Sequence, residues 1–467
     1  MILDDYTHIS GIACNSDSVV PGGVFVALKG KKVNGEDFID QAISNGAKHI
    51  VLNSNANVFE KEGVTYHYVK DPRITLSQLS AWFYKSQPKN MVAVTGTNGK
   101  TSVVSFFQQI CDLLGFKSAS IGTLGTVSST GRQYEDSVLT TPDPITLHKI
   151  LSQLSKDGID YAGIEVSSHA LKQHRVDGLT FKAAGFTNFT QDHLDYHKGL
   201  DDYFNAKSRL FKELLPTDGI AVLNADMNRY SIIRKHCVER GIKIFSYGIN
   251  GVEMKVNSFY PKWDLDIYGN RYLIDVIFDA DFQLYNVLCA VGLVLGCVNV
   301  NINEIINVLP KLKSASGRFE KVGLYNDASI YVDYAHTPDA LKNVLLNAKK
   351  ISSGKVHVVF GCGGERDADK RRKMGKIAAQ LADNIIITDD NPRNENPKEI
   401  RRQILEGCRR AKEVFPREDA IKIAILDLKK GDILFIVGKG HEDYQIIGDE
   451  KVSFDDKKIV KKIINAL

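Results

Sequence analysis

Apolar residues along this chain recur at two spacings. Every second residue is apolar in short runs and every third or fourth in longer ones, which predicts strands that alternate with helices. The first unit has predicted strands at 23–28 and 49–52, with a helix at 38–45 between them. A further helix is predicted at 73–85, where apolar residues keep the helical spacing. The polar segment 87–90 then ends this unit.

The middle of the chain continues the alternation. Aromatic and branched residues follow a period of two at 264–268 and 271–278, which predicts a small antiparallel section. The apolar run 287–300 predicts a buried helix, and the turn-rich stretch 311–317 ends this second unit. The strands predicted before the antiparallel section are 91–94, 117–121, 161–166, 183–187 and 220–224.

A third unit of the same kind completes the chain. Its predicted strands are 329–333, 357–360, 384–388 and 433–437, and its helices are 337–351, 370–381 and 398–408. Repeated strand–helix order predicts parallel sheets, and 467 residues suffice for two or three domains. We therefore predict an α/β fold in three domains, residues 1–88, 89–316 and 317–467.

Composition narrows the class of ligand. The net charge of +4 is small, and no long Lys/Arg block suggests a nucleic-acid surface, so an acidic small molecule is favoured. The seven cysteines form no CxxC pair, which favours a reducing compartment. The sequence has neither a signal-peptide pattern nor an apolar run near the roughly 20 residues that span a bilayer. We expect a cytoplasmic protein that works as a monomer without membrane or nucleic-acid partners.

The strongest chemical motif is Thr-Gly-Thr-Asn-Gly-Lys-Thr at 95–101. It lies between the apolar run 91–94 and an amphipathic helix predicted at 102–114, so its backbone N–H groups and the helix N-terminus can bind a polyphosphate. Lys100 can reach the β- and γ-phosphates, and the Thr101 hydroxyl can hold Mg²⁺. The loop is shortened, because Val94 occupies the place of the usual first glycine. The alternative is a strand–turn–helix without a nucleotide.

Two further segments follow predicted strands near this loop. His193 and Lys207 lie in 187–209, and Glu165 ends the strand 161–166 with a carboxylate suited to Mg²⁺. A zinc pair of His193 and His197 is the alternative metal site. Ser167, with Gln173 and Arg175, could bind an anionic substrate, or these residues form an ordinary turn and surface.

Three loops of the third unit carry charged side chains. Arg393 follows the strand 384–388 and Glu442 follows 433–437, so neighbouring loops could join them as a clamp for an amino acid. A salt bridge between the two is the alternative. The loop 361–366 fails the dinucleotide pattern GxGxxG at its last position, Arg366, which leaves this guanidinium available to a second carboxylate.

Together these motifs resemble the Mur ligase family, ATP-dependent enzymes that form amide bonds in peptidoglycan synthesis. The match runs in the family's order from Gly96 to Gln445, and PGGVFVALKG at 21–30 extends it toward the N-terminus. The matching runs are GTNGKT, TTPDP, EVSSHAL, FTNFTQDHLDYH, NAKSRLF, YNVLCA, SGRFE, VDYAHTPDAL, DDNPR and GKGHEDYQ.

The resemblance implies a central P-loop parallel-sheet ATPase domain between an N-terminal UDP-binding domain and a C-terminal Rossmann-like domain. DDNPR and GKGHE resemble the family type that adds meso-diaminopimelate to UDP-N-acetylmuramoyl-L-alanyl-D-glutamate. The arginine after Asn-Pro suits the extra carboxylate of diaminopimelate, which lysine lacks. A lysine-adding type, a folylpolyglutamate-synthetase-like ligase and a non-enzymatic nucleotide-binding protein remain as alternatives.

The resemblance also implies three groups of site residues. ATP would contact Gly96, Thr97, Asn98, Gly99, Lys100, Thr101, Ser102, Asn286, Arg318, Asp333 and His336. The UDP-muramoyl-dipeptide would contact Ser16, Lys31, Lys32, Val33, Thr140, Thr141, Ser167, Gln173 and Arg175. Diaminopimelate would contact Arg366, Asp390, Asn391, Pro392, Arg393, Gly438 and Glu442.

The family pattern further assigns catalytic and metal roles. Lys100, Glu165, His193 and Lys207 would be catalytic, and Thr101, Glu165, His193 and Lys207 would hold Mg²⁺. Lys207 stands where the family carries a carbamylated lysine, N6-carboxylysine. The family often has Asp-Ser-Arg near the first loop, whereas this chain has Asn15-Ser16-Asp17, which changes how the UDP end would be bound.

Overall fold

The computed structural model describes residues 8–30, 33–135, 137, 139–193 and 196–467. Its N-terminal part is a four-stranded sheet in the order β1-β2-β3-β4, with every neighbouring pair parallel. The strands are β1 Ile12–Ala13, β2 Val24–Val26, β3 His49–Asn53 and β4 Thr65–Val69, and the helices are α1 Ile39–Ser44 and α2 Pro72–Tyr84. Asp71 caps α2 by accepting a hydrogen bond from the Arg73 backbone, which explains why this helix begins one residue earlier than predicted.

The central part is built on one ten-stranded sheet. Its order is β14-β13-β12-β11-β10-β9-β5-β8-β6-β7. The strands are β5 Asn90–Thr95, β6 Ser118–Gly122, β7 Gly125–Ser128, β8 Tyr161–Glu165, β9 Ala183–Phe186, β10 Ile220–Asn224, β11 Lys243–Gly248, β12 Met254–Ser258, β13 Lys262–Ile267 and β14 Asn270–Asp275. The helices are α3 Lys100–Leu113, α4 Pro144–Lys156, α5 Ser168–Lys172, α6 Leu200–Arg209, α7 Tyr230–Glu239, α8 Asp281–Cys297 and α9 Ile302–Val308.

This sheet is mixed rather than wholly parallel, which corrects the expectation for the central unit. The strands from β12 through β10, β9, β5 and β8 to β6 pair in parallel, and the edges β13, β14 and β7 are antiparallel. The predicted antiparallel section is therefore present, but it extends the same sheet. Helix α8 is buried along most of its length against α3, which accounts for its almost wholly apolar sequence.

The C-terminal part has a six-stranded sheet in the order β15-β16-β20-β17-β18-β19 and a short hairpin. The strands are β15 Glu320–Tyr325, β16 Ala328–Asp333, β17 Val356–Phe360, β18 Asn384–Ile387, β19 Lys412–Glu413, β20 Ile433–Val437 and the hairpin β21 Tyr444–Ile447 with β22 Glu450–Ser453. The helices are α10 Pro338–Ile351, α11 Asp369–Leu381, α12 Pro397–Leu405, α13 Arg417–Leu426 and α14 Asp456–Ala466. All pairs except β15–β16 and the hairpin are parallel.

Separate apolar cores support the three sheets. Buried side chains cover both faces of the central sheet and both faces of the C-terminal sheet, and two smaller clusters cover the N-terminal sheet. The three sheets fall in the three predicted units of the chain, and the domain boundaries stay a prediction. All seven cysteines are free thiols. Within the part of the chain that the structure describes, no helix is long and apolar enough to cross a membrane.

Candidate active site

The predicted phosphate loop follows β5 and leads directly into α3. Gly96 has a φ of 146°, and a Cβ there would lie 1.9 Å from the Thr187 hydroxyl oxygen. Gly99 has a φ of 85°, and its Cβ would lie 2.4 Å from Oδ1 of Asn286. Only glycine fits both positions, because the loop is pressed against neighbouring strand ends and against α8. The tight turn aims the backbone of the loop and the N-terminus of α3 into one cleft.

Lys100 lies over this loop. Its Nζ donates to the carbonyl oxygens of Gly96 and Thr97, each at 3.0 Å. Burial lowers the pKa of Lys100, and the nearby Arg318 guanidinium acts in the same direction. The Lys100 ammonium is thus held by backbone dipoles at the mouth of the loop, where it can turn toward a phosphate.

Glu165 and Thr101 form the floor of the cleft. Glu165 is buried at the end of β8, and its Oε2 accepts a hydrogen bond from the Thr101 hydroxyl at 3.0 Å. Its other oxygen accepts from the backbone N of Thr123 at 2.8 Å. A carboxylate and a hydroxyl this close offer hard oxygen ligands beside the phosphate loop, so the pair fits a divalent cation such as Mg²⁺.

Lys207 is fully enclosed on α6. Its Nζ donates to the Gly96 carbonyl at 2.7 Å and lies 4.6 Å from the centre of the Tyr203 ring. Burial, together with repulsion from Lys100, holds the pKa of Lys207 well below its ordinary value. Burial therefore favours the neutral amine over the ammonium, and the neutral amine is the form that can react with CO₂.

His193 lies at the rim of the same cleft, with φ 53° and Asp192 beside it. Asp192 Oδ2 lies 3.5 Å from His193 Nε2, and Asp192 Oδ1 accepts from the His193 backbone at 2.8 Å. Although burial acts against it, the charges of His193 and Lys100 and the hydrogen bond from the His193 backbone keep the pKa of Asp192 below its ordinary value. His197 is buried and contacts Ser168 and Asp202.

The cleft is closed from above by the C-terminal part of the chain. Arg318 donates to the Thr101 hydroxyl at 3.2 Å, and its guanidinium stacks 4.1 Å from the Tyr334 ring centre. Buried Asp333 accepts from the Phe319 and Ala335 backbones, and burial raises its pKa. Burial also lowers the pKa of His336 to about 4, so its imidazole is neutral at ordinary pH.

The resulting cavity has a volume of about 440 Å³. It gathers most of the residues assigned to ATP, and these come from both the central and the C-terminal parts: Thr97, Asn98, Gly99, Lys100, Thr101, Ser102, Asn286, Arg318, Asp333 and His336. Sequence reasoning did not select Thr123, Asp192, Asn224, Asp226 or Tyr285, which also line it. Asp192 stands inside the quoted motif FTNFTQDHLDYH, so a signal for it was present. Among the residues that the structure describes, no three His, Cys, Asp or Glu side chains cluster as a ready metal site.

Ser167, Gln173 and Arg175 form one connected group with Thr141. Arg175 donates to Gln173 Oε1 at 2.8 Å and to the Thr141 carbonyl at 2.7 Å. The Thr141 hydroxyl in turn lies 3.3 Å from the Ser167 hydroxyl. Thr140, the neighbour of Thr141, contacts the Thr123 hydroxyl at 3.3 Å and thereby reaches the floor of the cleft.

A second cavity of about 660 Å³ lies at the carboxyl ends of β2, β3 and β4. Its lining includes four cationic side chains, Lys29, Lys70, Arg73 and Lys172. Of the residues assigned to the UDP end, Ser16 is buried and donates to Gln41 at 2.9 Å, and Val33 is exposed. Lys31 and Lys32 lie outside the described residues. The sequence did not point to Lys70 or Arg73.

The loops proposed for an amino acid meet at the carboxyl edge of the C-terminal sheet. Strands β18 and β20 are not neighbours, because β17 lies between them, which corrects the expected adjacency. Asn391 joins the two loops instead: its Nδ2 donates to Glu442 Oε2 at 2.8 Å, and its Oδ1 accepts from the Ile446 backbone. Buried Lys439 lies 3.1 Å from the same Glu442 oxygen.

Arg393 does not form the alternative salt bridge with Glu442 in the described part of the chain; its Nη1 donates to the Gly364 carbonyl at 2.9 Å. Arg366 is exposed on the loop after β17. Asp390 and Asn391 are buried beside Gly438, whose φ is 112° and whose Cβ would lie 2.5 Å from Asp390 Oδ2. The structure thus brings the seven residues assigned to diaminopimelate to one edge of the sheet, including Pro392.

Comparison with known protein families gives three consecutive matches. The model described as Mur ligase family, catalytic domain, matches residues 8–85. The Mur ligase middle domain matches 94–294, and the Mur ligase, glutamate ligase domain, matches 317–440.

Named relatives and solved structures agree with these matches. A UDP-N-acetylmuramoyl-L-alanyl-D-glutamate–2,6-diaminopimelate ligase of Rickettsia bellii is 43% identical over 97% of this chain and 95% of its own length. A solved structure of a ligase with that name has a TM-score of 0.70 at 29% identity, covering 98% of this chain and 95% of the other. A folylpolyglutamate synthase/dihydrofolate synthase of Yersinia pestis, complexed with AMPPNP and Mn ion, shares the fold at 17% identity, a TM-score of 0.64, and coverage of 79% of this chain and 91% of its own.

Proposed function

This chain belongs to the Mur ligase family, and we infer that it is an ATP-dependent ligase that adds meso-diaminopimelate to UDP-N-acetylmuramoyl-L-alanyl-D-glutamate. The reaction forms an amide bond in the synthesis of a peptidoglycan precursor. The inference rests on family membership, on the name of relatives that match nearly the whole chain, and on a cleft that joins the phosphate loop of the central part to Arg318, Asp333 and His336 of the C-terminal part.

ATP is proposed to bind in the 440 Å³ cavity. The phosphates would follow the loop 96–101, where Lys100 would turn from the Gly96 carbonyl to a phosphate oxygen. Arg318 would neutralise charge from the opposite side, since it already reaches the Thr101 hydroxyl. Asn286, Asp333 and neutral His336 would complete the nucleotide contacts.

Two sets of residues are proposed to hold Mg²⁺. Thr101 and Glu165, whose oxygens are 3.0 Å apart, would bind one ion beside the phosphates. His193 with Lys207, once its amine has become a carbamate, would serve a second ion. When bound, such ions supply positive charge that lowers the barrier to phosphoryl transfer. The depressed pKa and complete burial of Lys207 support the carbamate, because CO₂ reacts with the neutral amine only.

The sugar nucleotide is proposed to lie along the boundary between the N-terminal and central parts. Its diphosphate suits the 660 Å³ cavity, where Lys70, Arg73 and Lys29 provide positive charge in a chain that lacks the family's arginine near Ser16. Lys172 lines this cavity and directly precedes Gln173, which belongs to the connected group of Ser167, Gln173 and Arg175. An extended substrate could therefore run from that cavity to the phosphate cleft with its dipeptide carboxylates beside Arg175.

The incoming amino acid is proposed to bind between Arg393, Arg366 and Glu442. The two guanidinium groups can each meet a carboxylate of diaminopimelate, and Glu442 can accept an ammonium. Lys439 already compensates part of the negative charge of Glu442. Buried Asp390 and Asn391 would therefore share with Glu442 the binding of the ammonium. The far carboxylate that Arg393 would bind is the group that L-lysine lacks, which supports diaminopimelate over lysine.

The reaction then proceeds in two steps. A carboxylate oxygen of the D-glutamate side chain attacks the γ-phosphorus of ATP, which gives an acyl phosphate and ADP, while Lys100 and Arg318 balance the moving charge. The amine of diaminopimelate attacks the acyl carbon, and the amide forms as phosphate leaves and the amine loses a proton. The central and C-terminal parts contact each other where Arg318 donates to the Thr101 hydroxyl, and this closure would limit the access of water to the acyl phosphate.

The free thiols and the use of ATP support a cytoplasmic location, and a cleft completed by one chain supports action as a monomer. The domains are proposed to divide at 88 and 316, between the three sheets.

Phosphate release measured with each substrate omitted in turn tests this proposal. We expect ATP turnover only when the UDP-muramoyl-dipeptide and diaminopimelate are both present. Turnover that ignores both substrates, or none at all, would instead favour a nucleotide-binding protein of another role. Turnover with a folate and glutamate would favour the folylpolyglutamate-type reaction.

A further inference from the structure

The loop that carries Arg366 and the loop that carries Arg393 leave the sheet side by side. Strands β17 and β18 are parallel neighbours, and their last residues pair as Phe360 with Ile387. The Gly364 backbone N donates to the Asn391 carbonyl at 2.9 Å, which joins the two loops beyond the strand ends. The position of one arginine relative to the other therefore depends on how firmly these loops are held together.

One carboxylate, that of Glu395, spans both loops. Glu395 follows Arg393 in the second loop, and its Oε1 accepts a hydrogen bond from the Glu365 backbone N in the first. Its Oε2 lies 2.8 Å from Nη2 of Arg371 at the start of α11. Arg371 is 1% exposed and donates from the same Nη2 to the Gly363 carbonyl at 3.2 Å. Glu395 thus holds the first loop directly at Glu365 and indirectly at Gly363.

The same contacts fix the Arg393 side chain. Its Nη1 donates to the Gly364 carbonyl, so the direction of the guanidinium depends on the place of Gly364. No side chain fits at Gly364, because a Cβ there would lie 1.9 Å from the Pro392 carbonyl oxygen. The Arg393 backbone, at φ 53°, is held by hydrogen bonds to Ile446 and Gly448. The Arg393 backbone is thus fixed by the hairpin, and the loop that accepts from its guanidinium is fixed by Glu395. Both contacts restrict the orientation of the guanidinium.

We propose that Glu395 is a positioning residue for the incoming amino acid, one that sets the separation of Arg366 and Arg393. Because Arg371 neutralises it, Glu395 can stand beside this edge without repelling the carboxylates of the substrate. Bidentate pairing between guanidinium and carboxylate is sensitive to geometry, so a shift of one arginine relative to the other weakens the binding of a ligand that pairs with both. This inference rests on the proposed function, since it assumes that the two arginines bind diaminopimelate.

The test is Glu395→Gln, which keeps the side-chain length and the acceptor for Glu365 but removes the charge that pairs with Arg371. We expect the KM for diaminopimelate to rise about tenfold, with kcat and the KM for ATP changed by less than about twofold. Glu418→Gln is the matched control, because Glu418 is a half-exposed residue of α13 that pairs with Lys462 and lies outside the proposed binding sites. Hydrogen exchange at residues 363–366 should also quicken in Glu395→Gln and not in the control.

The outcomes separate this inference from the reaction itself. Wild-type protein that releases no phosphate with diaminopimelate overturns the proposed function and this inference with it. If the wild type turns over but Glu395→Gln keeps its KM for diaminopimelate, or if all substrates lose affinity equally, Glu395 is not a positioning residue. Should Glu395→Gln fail to fold, Glu395→Asp keeps the charge and shortens the reach to the Glu365 backbone, and an unchanged KM for diaminopimelate in that variant overturns the inference.

Discussion

Replacing Lys207 by methionine separates what this residue contributes to catalysis from what it costs in stability. Methionine keeps the volume of the side chain and removes the amine, so no carbamate can form. The Gly96 carbonyl that Lys207 contacts keeps the Lys100 ammonium at 3.0 Å, so the substitution leaves no buried acceptor without a donor. The effects should therefore come from the lost amine alone.

The activity of Lys207→Met should fall by a large factor. Removal of one fixed group that stabilises developing charge costs about 10²–10³ in kcat, or about 2.7–4 kcal/mol. Lys207 lies within hydrogen-bonding distance of the phosphate loop at Gly96, so a carbamate there would act on the transferred phosphoryl group. We expect a loss of this size in kcat, with the KM for ATP much less affected.

The stability of the same variant should rise. Lys207 is 1% exposed, and its amine forms fewer hydrogen bonds than it can donate. Removal of the amine should therefore raise the free energy of unfolding by about 1–3 kcal/mol. Burial depresses the pKa of Lys207 in the folded state. The free energy of unfolding of the wild type therefore decreases as the pH falls from the unfolded-state pKa of about 10.4 toward the lower folded-state pKa. Lys207→Met should lack that loss.

Phosphate release is measured in buffer equilibrated with CO₂, so that the wild type can carry the carbamate, and thermal unfolding is measured in buffer freed of CO₂, so that Lys207 keeps its free amine. Lys207→Arg keeps the charge and cannot be carbamylated, so it should be as inactive as Lys207→Met without the gain in stability. Lys235→Met, at an exposed lysine of α7, is the control and should change neither property. Wild-type kcat in Lys207→Met would refute the reasoning.

Three further predictions follow from particular contacts. Arg393→Ala should raise the KM for diaminopimelate about 10²-fold, because about 3 kcal/mol of charged hydrogen bonding is lost, and equal changes in the KM for ATP would indicate a merely structural loop. Asp456→Asn should lower the free energy of unfolding by about 3–5 kcal/mol, because it leaves fully buried Arg417 without its carboxylate partner at 2.8 Å; denaturant unfolding measures this, and a loss below about 1 kcal/mol would contradict it. Burial lowers the pKa of His148 to about 4, so the wild type should lose stability as pH falls from about 6.5 to about 4; His148→Phe should flatten that part of the profile, and an unchanged slope would show that other groups cause it.

Local signals in the sequence located most of the regular structure. Strands 220–224 and 433–437 have their predicted bounds. Most others differ by one or two residues, and the strand predicted at 271–278 ends three residues earlier, because pairing with neighbours decides where a strand ends. Strand β7 was not predicted, although the hairpin that it forms with the predicted β6 brings Thr123 to Glu165. The place of β12–β14 at the edge of the central sheet depends on the pairing of Tyr247 with Met254, a contact that no local pattern specifies.

Some residues of the candidate site were predictable from local sequence, and others depend on tertiary packing. Lys100 and Thr101 were found from a motif, since the phosphate loop is a local structure. Lys207 looks like an ordinary helix lysine in the sequence, and only the packing of α6 against the loop shows its burial. Asn391 links Glu442 to the loop that carries Arg393. This link depends on the strand order, because β17 lies between β18 and β20, which the sequence predicted to be neighbours.

The most direct test of the central claim is a competition for the amine. Purified protein, ATP, Mg²⁺ and UDP-N-acetylmuramoyl-L-alanyl-D-glutamate are incubated with equal concentrations of meso-diaminopimelate and L-lysine, and the products are identified by mass. The structure leads us to expect the diaminopimelate adduct almost alone, because Arg393 and Arg366 offer two guanidinium groups to two carboxylates. A product that carries mainly lysine would keep the ligase and contradict the account of its specificity.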